Sequence, residues 1–480
     1  MNALNLQYST ILPEIILSIA GMVVMVFDAL LPDARRKIWC AYLALVSVGL
    51  AVAACLMGWD RPTLAFSNLI VLDNYAILFK LLFLGIVAAV LVLSLRYFRE
   101  DFTHLGEYSA LLLFAAVGMC FMVSSNDLLF TFLSLEILSI ATYILAGFRR
   151  DHPLSAESAL KYFLLGSFST AILLFGVAFV FGVSGTTQYS RIAIQIGPAV
   201  RSVSPLLLAG MGLILVGFGF KIAAAPFHTW APDVYEGAPL PITTFLSVGS
   251  KAAGFAATLR VLFEVFPSLS PYWRTFFWIS AVLTMTLGNI AALRQTNIKR
   301  LLAYSSIAHA GYLLIGVTAH NSLGARGMIF YLLAYALMNI GAFAAVQELA
   351  RRNESRLEIE EYAGLGFRYP VLGVCFAVCL FSLAGIPSTA GFLGKLMLFG
   401  AAVQSKFYWL AVFAVVNSAI AAYYYLKVVV VLFMKPALKE SEPLGEQQAS
   451  ATGLLLLAAL ATLALGLFPT LVLRWIGAAL

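Results

Sequence analysis

Apolar runs of about 20 residues recur along almost the whole chain, separated by short polar connectors. A helix needs about that length to cross a bilayer. Lipid admits only helices and closed barrels as spanning structures, because every backbone polar group has to be satisfied internally. The runs are too long and too uniformly apolar for barrel strands, which alternate every second residue over about ten. The pattern predicts an all-α polytopic membrane protein. Composition agrees: of 480 residues, 62% are hydrophobic and 11% charged, against roughly 45–50% and about 25% in soluble domains. Too few polar groups remain to coat a water-soluble body, which excludes a soluble enzyme, a disordered protein and a nucleic-acid binder.

About fourteen spans are expected, starting near residues 11, 38, 76, 108, 127, 160, 205, 241, 272, 299, 325, 370, 406 and 454. The basic residues between them alternate in density. One set of connectors holds Arg35, Arg36, Lys37, Arg96, Arg99, Arg149, Arg150, Arg294, Lys299, Arg300, Arg351, Arg352, Arg356, Arg368, Lys435 and Lys439. The other holds Arg61, Arg191, Arg201, Arg260, Arg274, Arg326, Lys406 and Arg474, about half as many. Basic residues favour cytoplasmic loops, so the first set is read as cytoplasmic, with both termini on the opposite, periplasmic side of a bacterial inner membrane. The net charge of +7 belongs to this asymmetry rather than to a nucleic-acid partner. The N-terminus has no basic residue before its first apolar run and Glu14 interrupts that run, which argues against a cleavable signal peptide. The stretches near 351–369 and 435–450 read as solvated connectors. The five cysteines lie in or beside apolar runs without metal-ligand spacing and read as small packing residues.

Six lysines fall within apolar segments, where an ionisable group costs about 2.5–3.5 kcal/mol and usually marks an ion or proton path. Glu136 lies about ten residues from either end of its run. Lys221, Lys251 and Lys395 are similarly deep, and these four are the candidates for proton translocation. Lys80 and Lys427 stand near span ends, where their ammonium groups can reach water; Glu14 and Asp28 are read as solvated for the same reason. Lys161 follows Glu157 by one turn, the spacing of a helical ion pair. It is held as a further relay candidate, together with His309, Ser305 and Ser306. Pro226 follows Lys221, and Pro387 precedes Lys395 within AGIPSTAG. Proline breaks or kinks a helix, and paired interruptions point to inverted repeats and an ion site. A carboxylate and an ammonium about 8 Å apart interact by about 2 kcal/mol at an effective dielectric of 20. A change in the Glu136–Lys221 separation would then switch Lys221 between holding and releasing a proton, with Lys251 and Lys395 passing it on. The five histidines offer no facing pair for haem, no cysteine cluster suits an iron–sulfur centre, and no glycine fingerprint for a dinucleotide occurs.

The stretch GFGFKIAAAPFHTWAPDVYEGAPLPITTFLSVGSKAAGF (217–255) resembles the antiporter-like membrane subunits of respiratory complex I, and its PDVYEGAP resembles the subunit N branch rather than L or M. SLEILSIATYILAG (134–147), GNIAALRQTNIKRLLAYSSIAHAGYLLIG (288–316) and FSLAGIPSTAGFLGKLMLF (381–399) resemble the same family. The resemblance implies fourteen helices with two inverted five-helix repeats and broken helices 7 and 12. Its divisions would be residues 11–107 for helices 1–3, 108–263 and 272–434 for the repeats, and 454–475 for helix 14. It implies Glu136 as the ion-pair carboxylate, Lys221 as its titrating partner, Lys251 as the connecting lysine, Lys395 as the terminal one and Lys161 as a lysine between units. It also implies a place in the membrane arm of an NADH–quinone oxidoreductase beside K- and M-type subunits. FMN, iron–sulfur clusters and quinone would lie elsewhere in that complex, with no cofactor in this chain. The rival reading, a subunit of a multisubunit Mrp-type cation/proton antiporter, shares the Glu and Lys pattern but not the residues around Asp233 to Pro239. A membrane spacer without transport leaves four deep charges unexplained.

Overall fold

The structure is a computed structural model that describes residues 7–98, 103–197, 203–350, 354–437 and 449–480. Arg99, Arg201, Arg351, Arg352 and Lys439 lie outside the described residues, as does part of each of the two long connectors. Twenty α-helices are present among the described residues. The N-terminal group is α1 (Leu12–Leu30), α2 (Ile38–Met57) and α3 (Asn74–Tyr97). Next come α4 (Leu105–Ser124), α5 (Leu128–Ala146), α6 (Pro153–Ser184), the short α7 (Tyr189–Gln195), α8 (Pro205–Lys221), α9 (Trp230–Gly237), α10 (Leu240–Phe245) and α11 (Lys251–Glu264). A third group comprises α12 (Ser270–Leu293), α13 (Ile298–Ala319), α14 (Ser322–Leu349), the one-turn α15 (Leu365–Arg368), α16 (Pro370–Ala384), α17 (Ala390–Gln404) and α18 (Tyr408–Met434). The chain closes with α19 (Ala449–Leu467) and α20 (Thr470–Ala479).

The helix starts follow local chemistry. A side-chain oxygen that accepts from the first free amides of a helix stabilises its N-terminus. Asp73 accepts from Ala76, Asp127 from Leu129 and Phe130, Asn297 from Lys299 and Arg300, and Asn321 from Gly324. Proline, whose missing N–H is no loss in a first turn, opens α6, α8 and α16.

Eleven helices among the described residues are long and apolar enough to cross a membrane. The chain is thus a multi-pass membrane protein. Helices α13 and α14 are 94% and 89% buried over their apolar windows, which makes them the axis of the bundle. By contrast α6 exposes Leu160, Phe163, Leu164, Phe168 and Phe175, an apolar face too continuous to meet water.

Two expectations need correction. The fold is not wholly α: Thr63–Ala65 and Ile70–Leu72 form an antiparallel hairpin between α2 and α3. Ile70 also bridges to Ser125, ahead of α5. Glu14 and Lys80 are not solvated at span ends. Both are fully buried and form an ion pair at 2.7 Å that ties α1 to α3. Asp28 is likewise buried, 3.2 Å from Lys37. Tertiary packing turned positions near helix ends into interior ones, because other helix ends close over them.

Candidate functional site

Two of the three deep lysines, Lys221 and Lys395, stand close to helix interruptions. Helix α8 ends at Lys221 and α9 begins at Trp230, with Pro226 in the gap. The Ala225 N–H donates to Thr284 Oγ1 at 2.8 Å and the Ala225 carbonyl accepts from Ser280 Oγ at 2.9 Å, both from α12. Helix α16 ends at Ala384 and α17 begins at Ala390, with Pro387 in the gap. Here Ser382 Oγ accepts from the Gly391 N–H at 3.0 Å. Backbone groups freed by a break at membrane depth need such partners.

Lys221 is buried, and its ammonium donates to Ser139 Oγ at 3.0 Å and to Tyr162 Oη at 3.4 Å. Ser139 lies one turn after Glu136 on α5. Glu136 is half-buried, its Oε1 enclosed without a hydrogen-bond partner. Among the described residues no ion pair within 4 Å joins Glu136 to Lys221; the Ser139 hydroxyl is the nearer partner of the ammonium. Tyr162 stacks on Trp230, centroids 4.6 Å apart and planes within 9°, and Trp230 Nε1 donates to the Phe220 carbonyl at 3.0 Å. The Trp230–Phe220 bond spans the break, and the stack carries Tyr162, one of the two hydroxyl partners of the Lys221 ammonium.

Lys251 is buried at the start of α11, directly after a π-turn over Leu246–Ser250. Single π-turns within helices recur at functional sites. Its ammonium donates to the Ser306 carbonyl at 2.6 Å and to Ser306 Oγ at 2.5 Å. The Lys221 stem passes 3.5 Å from the Cβ position of Gly254, one turn beyond Lys251. From Ser306 the polar groups continue along α13. Ser305 Oγ bonds Tyr425 Oη, which lies 3.0 Å from His309 Nε2; His309 Nδ1 lies 2.6 Å from Tyr331 Oη. Tyr424, beside Tyr425 on α18, donates to Asn289 Oδ1 at 3.0 Å, and Asn289 Nδ2 reaches Tyr312 Oη at 3.3 Å. Lys395 sits 4.8 Å from the Tyr312 ring centroid and donates to the Leu383 and Ala384 carbonyls at 3.0 and 2.9 Å and to Ser418 Oγ at 3.1 Å. A cation at the carbonyl end of a helix is favoured electrostatically.

Lys161 stands apart, half-exposed, between Glu157 at 2.7 Å and Asp233 at 2.6 Å. Asp233 and Glu236 of α9 also hold Arg300, at 3.0 and 2.5 Å. Lys299, which the sequence places in a connector, is fully buried and 2.6 Å from Glu354. Nearby, burial and the Arg149 and Lys299 charges press His152 below its ordinary value against the pull of Glu354, so it stands neutral near pH 7. The structure thus brings Lys251, Ser305, Ser306, His309 and Lys395 along one buried line, Lys221 with Glu136 at its other end, and Lys161 on a rim. The sequence reading missed Ser139, Tyr162, Tyr312, Tyr331, Tyr425, Asn289 and Glu354. Asn289, a strong hydrogen-bonding group deep in an apolar run, was a usable signal; tyrosines in spans are too common to be one.

Comparisons with known proteins agree with this architecture. The family profile described as "NADH:quinone oxidoreductase/Mrp antiporter, TM" matches residues 125–421. The chain is 46% identical over 472 residues to the NADH-quinone oxidoreductase subunit N of Trichlorobacter lovleyi, covering 98% of this chain and 96% of that one. It is 43% identical over 470 residues to a subunit N of Solibacter usitatus, covering 97% and 95%. Among solved structures, a chain of respiratory complex I from Thermus thermophilus superimposes with a TM-score of 0.83 at 35% identity, covering 97% of this chain and all of that one. A chain of the Mrp complex from Dietzia superimposes as well, with a TM-score of 0.84, but at 21% identity, which speaks for the fold alone; 99% of this chain and 97% of that one are covered. On the full-length identity to curated relatives, this chain belongs to the NADH-quinone oxidoreductase subunit N family.

Proposed function

We propose that this chain is a proton-translocating membrane-arm subunit of an NADH–quinone oxidoreductase, coupling electron transfer elsewhere in the complex to proton movement along Glu136, Lys221, Lys251 and Lys395. The observation that carries the reading is the unbroken burial of those three lysines beside hydroxyl and imidazole groups that can both donate and accept. Lys161 collects protons at the rim; Ser305, Ser306 and His309 relay them between Lys251 and Lys395. Ser250 Oγ and His228 Nδ1 are buried with no hydrogen-bond partner among the described residues. Buried polar atoms of this kind are ordinarily satisfied by water, which supports a hydrated route.

The fourteen spans of this reading are the eleven long helices together with three interrupted ones, α8–α9, α10–α11 and α16–α17. In this reading residues 108–263 and 272–434 are inverted repeats and residues 11–107 and 454–475 flank them. The subunit lies beside K- and M-type neighbours in a bacterial inner membrane, with periplasmic termini, and the redox cofactors lie in other subunits. Full-length identity to subunit N sequences favours this over an Mrp-type antiporter.

The test is the assembled complex in sealed vesicles, with proton uptake measured against quinone reduction. Lys221→Ala and Lys395→Ala should each lower protons moved per NADH by at least about twofold; removal of one positioned acid–base group commonly costs 10²–10⁴-fold in its own step. Wild-type pumping in both variants would remove the lysine chain from the mechanism.

A further inference from the structure

The segment after α14 is built into the protein rather than looped over it. The Ile298 N–H donates to the Leu357 carbonyl and the Ile359 N–H to the Thr296 carbonyl, both at 2.8 Å, so residues 357–359 pair with the start of α13. This delivers Glu354, whose side chain is 7% exposed, to the junction of α9 and α10. One carboxylate oxygen accepts from the Leu240 N–H at 2.9 Å, the first amide of α10. The other lies 2.6 Å from Lys299 Nζ, and Lys299 in turn donates to the Ala238 carbonyl at 2.7 Å, where α9 has just ended. Two helix ends leave orphan carbonyls and amides. A single ion pair closes both, on either side of Pro239, which has no N–H to contribute. Arg149 stands 3.9 Å from the same carboxylate.

Glu354 holds a left-handed backbone, φ +59°, which costs a residue with a Cβ roughly 1–2 kcal/mol. Such strain persists where the surroundings over-determine it, and it clusters at functional sites. The other end of α9 is Trp230, the partner of Tyr162 in the stack beneath Lys221. Between the two ends α9 has little freedom to slide. A Cβ on Gly237 would collide with the Leu154 carbonyl of α6, and Asp233 is gripped by Lys161 and Arg300.

We propose that Glu354 is a positioning residue: with Lys299 it fixes the α9–α10 junction and, through the eight residues of α9, the Trp230–Tyr162 stack that holds the Lys221 ammonium. This rests on the reading that Lys221 carries protons. A cap that merely closes two helix ends and a device that seats Lys221 differ in one respect. Only the second makes the effect of Glu354 depend on Tyr162.

The experiment is a double-mutant cycle in the assembled complex, reading protons moved per NADH alongside the amount of assembled complex. Glu354→Ala and Tyr162→Phe are each expected to lower the ratio about threefold, within the range by which one residue modulates another site. The double variant should fall no further than the worse single one, because both act on the same seat. Glu354→Gln, which keeps an acceptor for the Leu240 amide, replaces Glu354→Ala should the latter fail to assemble. A Lys299→Glu/Glu354→Lys exchange should recover none of the lost pumping, because it sets an ammonium against the Leu240 N–H and a carboxylate against the Ala238 carbonyl; recovery would mean that the charge pair alone matters and would overturn the capping role. Multiplicative effects of Glu354 and Tyr162, or normal pumping in both Glu354 variants, would overturn the proposal. Lys221→Ala separates the two claims: loss of pumping there beside multiplicative effects leaves the lysine chain standing and removes only Glu354.

Discussion

The two helix breaks differ in what holds them. The gap between α8 and α9 is pinned from outside: Ser280 and Thr284 of α12 take both backbone groups of Ala225, while Lys221 turns away to hydroxyls on α5 and α6. The gap between α16 and α17 is closed mostly from its own flanks, with Ser418 Oγ of α18 adding a bond to the Ala384 carbonyl at 3.4 Å. Ser382 takes the Gly391 amide, and Lys395 reaches back to the last carbonyls of its own interrupted helix. An ammonium offers three N–H donors, and Lys395 uses them on two carbonyls and one hydroxyl. Loss of a proton there removes a donor from the helix end itself. At Lys221 it removes one from side-chain hydroxyls and leaves the break intact. The first lysine is thus free to change partners, whereas the second is coupled to the geometry of its break.

The largest effect should come from crowding the second break. Gly391 carries no side chain because a Cβ there would collide with the Ser382 carbonyl, which is backbone and cannot swing aside. Gly391→Ala is expected to cost about 3 kcal/mol or more, the upper range for overpacking, and to reduce the assembled complex to a small fraction on a native gel. Wild-type levels would mean that the second break is as loosely seated as any surface turn. At the first break, Thr284→Val keeps the shape and deletes the acceptor of the Ala225 amide. An unsatisfied buried donor costs about 1–3 kcal/mol, so thermal stability should drop while the complex still assembles. If Thr284→Val is neutral but Ser382→Ala is not, the distinction between external and internal pinning fails.

The coarse architecture was legible because it depends on local chemistry. Apolar run lengths locate the helices, and Pro226 and Pro387 fall in the two gaps. The depth of Lys221, Lys251 and Lys395 was legible from their distance to the run ends. What those lysines touch was not. Ser139 and Ser418 are reached from other helices, and hydropathy treats them as weakly polar filler; Ser306 was held as a relay candidate without its bond to Lys251. Glu14 and Lys80 were misread for the same reason, since a position near a span end is solvated only when no other helix closes over it. Glu354 followed a basic stretch and looked like part of a connector, although its partner lies 55 residues away in sequence. The π-turn before Lys251 contains no proline, and nothing in Leu246–Ser250 announces it.

The smallest predicted effect separates the breaks by backbone conformation. The first gap contains one left-handed residue, Ala223 at φ +55°, and the second contains two, Gly385 at φ +90° and Ser388 at φ +69°. Gly385→Ala should destabilise by about 1–2 kcal/mol, the left-handed penalty for a residue with a Cβ. Its new methyl group would meet the flexible Lys395 side chain, Cδ at 3.1 Å and Nζ at 3.2 Å. Ala223→Gly removes that same penalty but adds about 0.5–1 kcal/mol of chain entropy and gives up a buried methyl worth about 0.8 kcal/mol. The terms offset, so the variant should melt within a degree or two of wild type. A clear gain in stability for Ala223→Gly would show that the first break stores strain its α12 partners only partly offset. Equal losses for the two exchanges would show that the breaks, however differently they are pinned, tolerate backbone change alike.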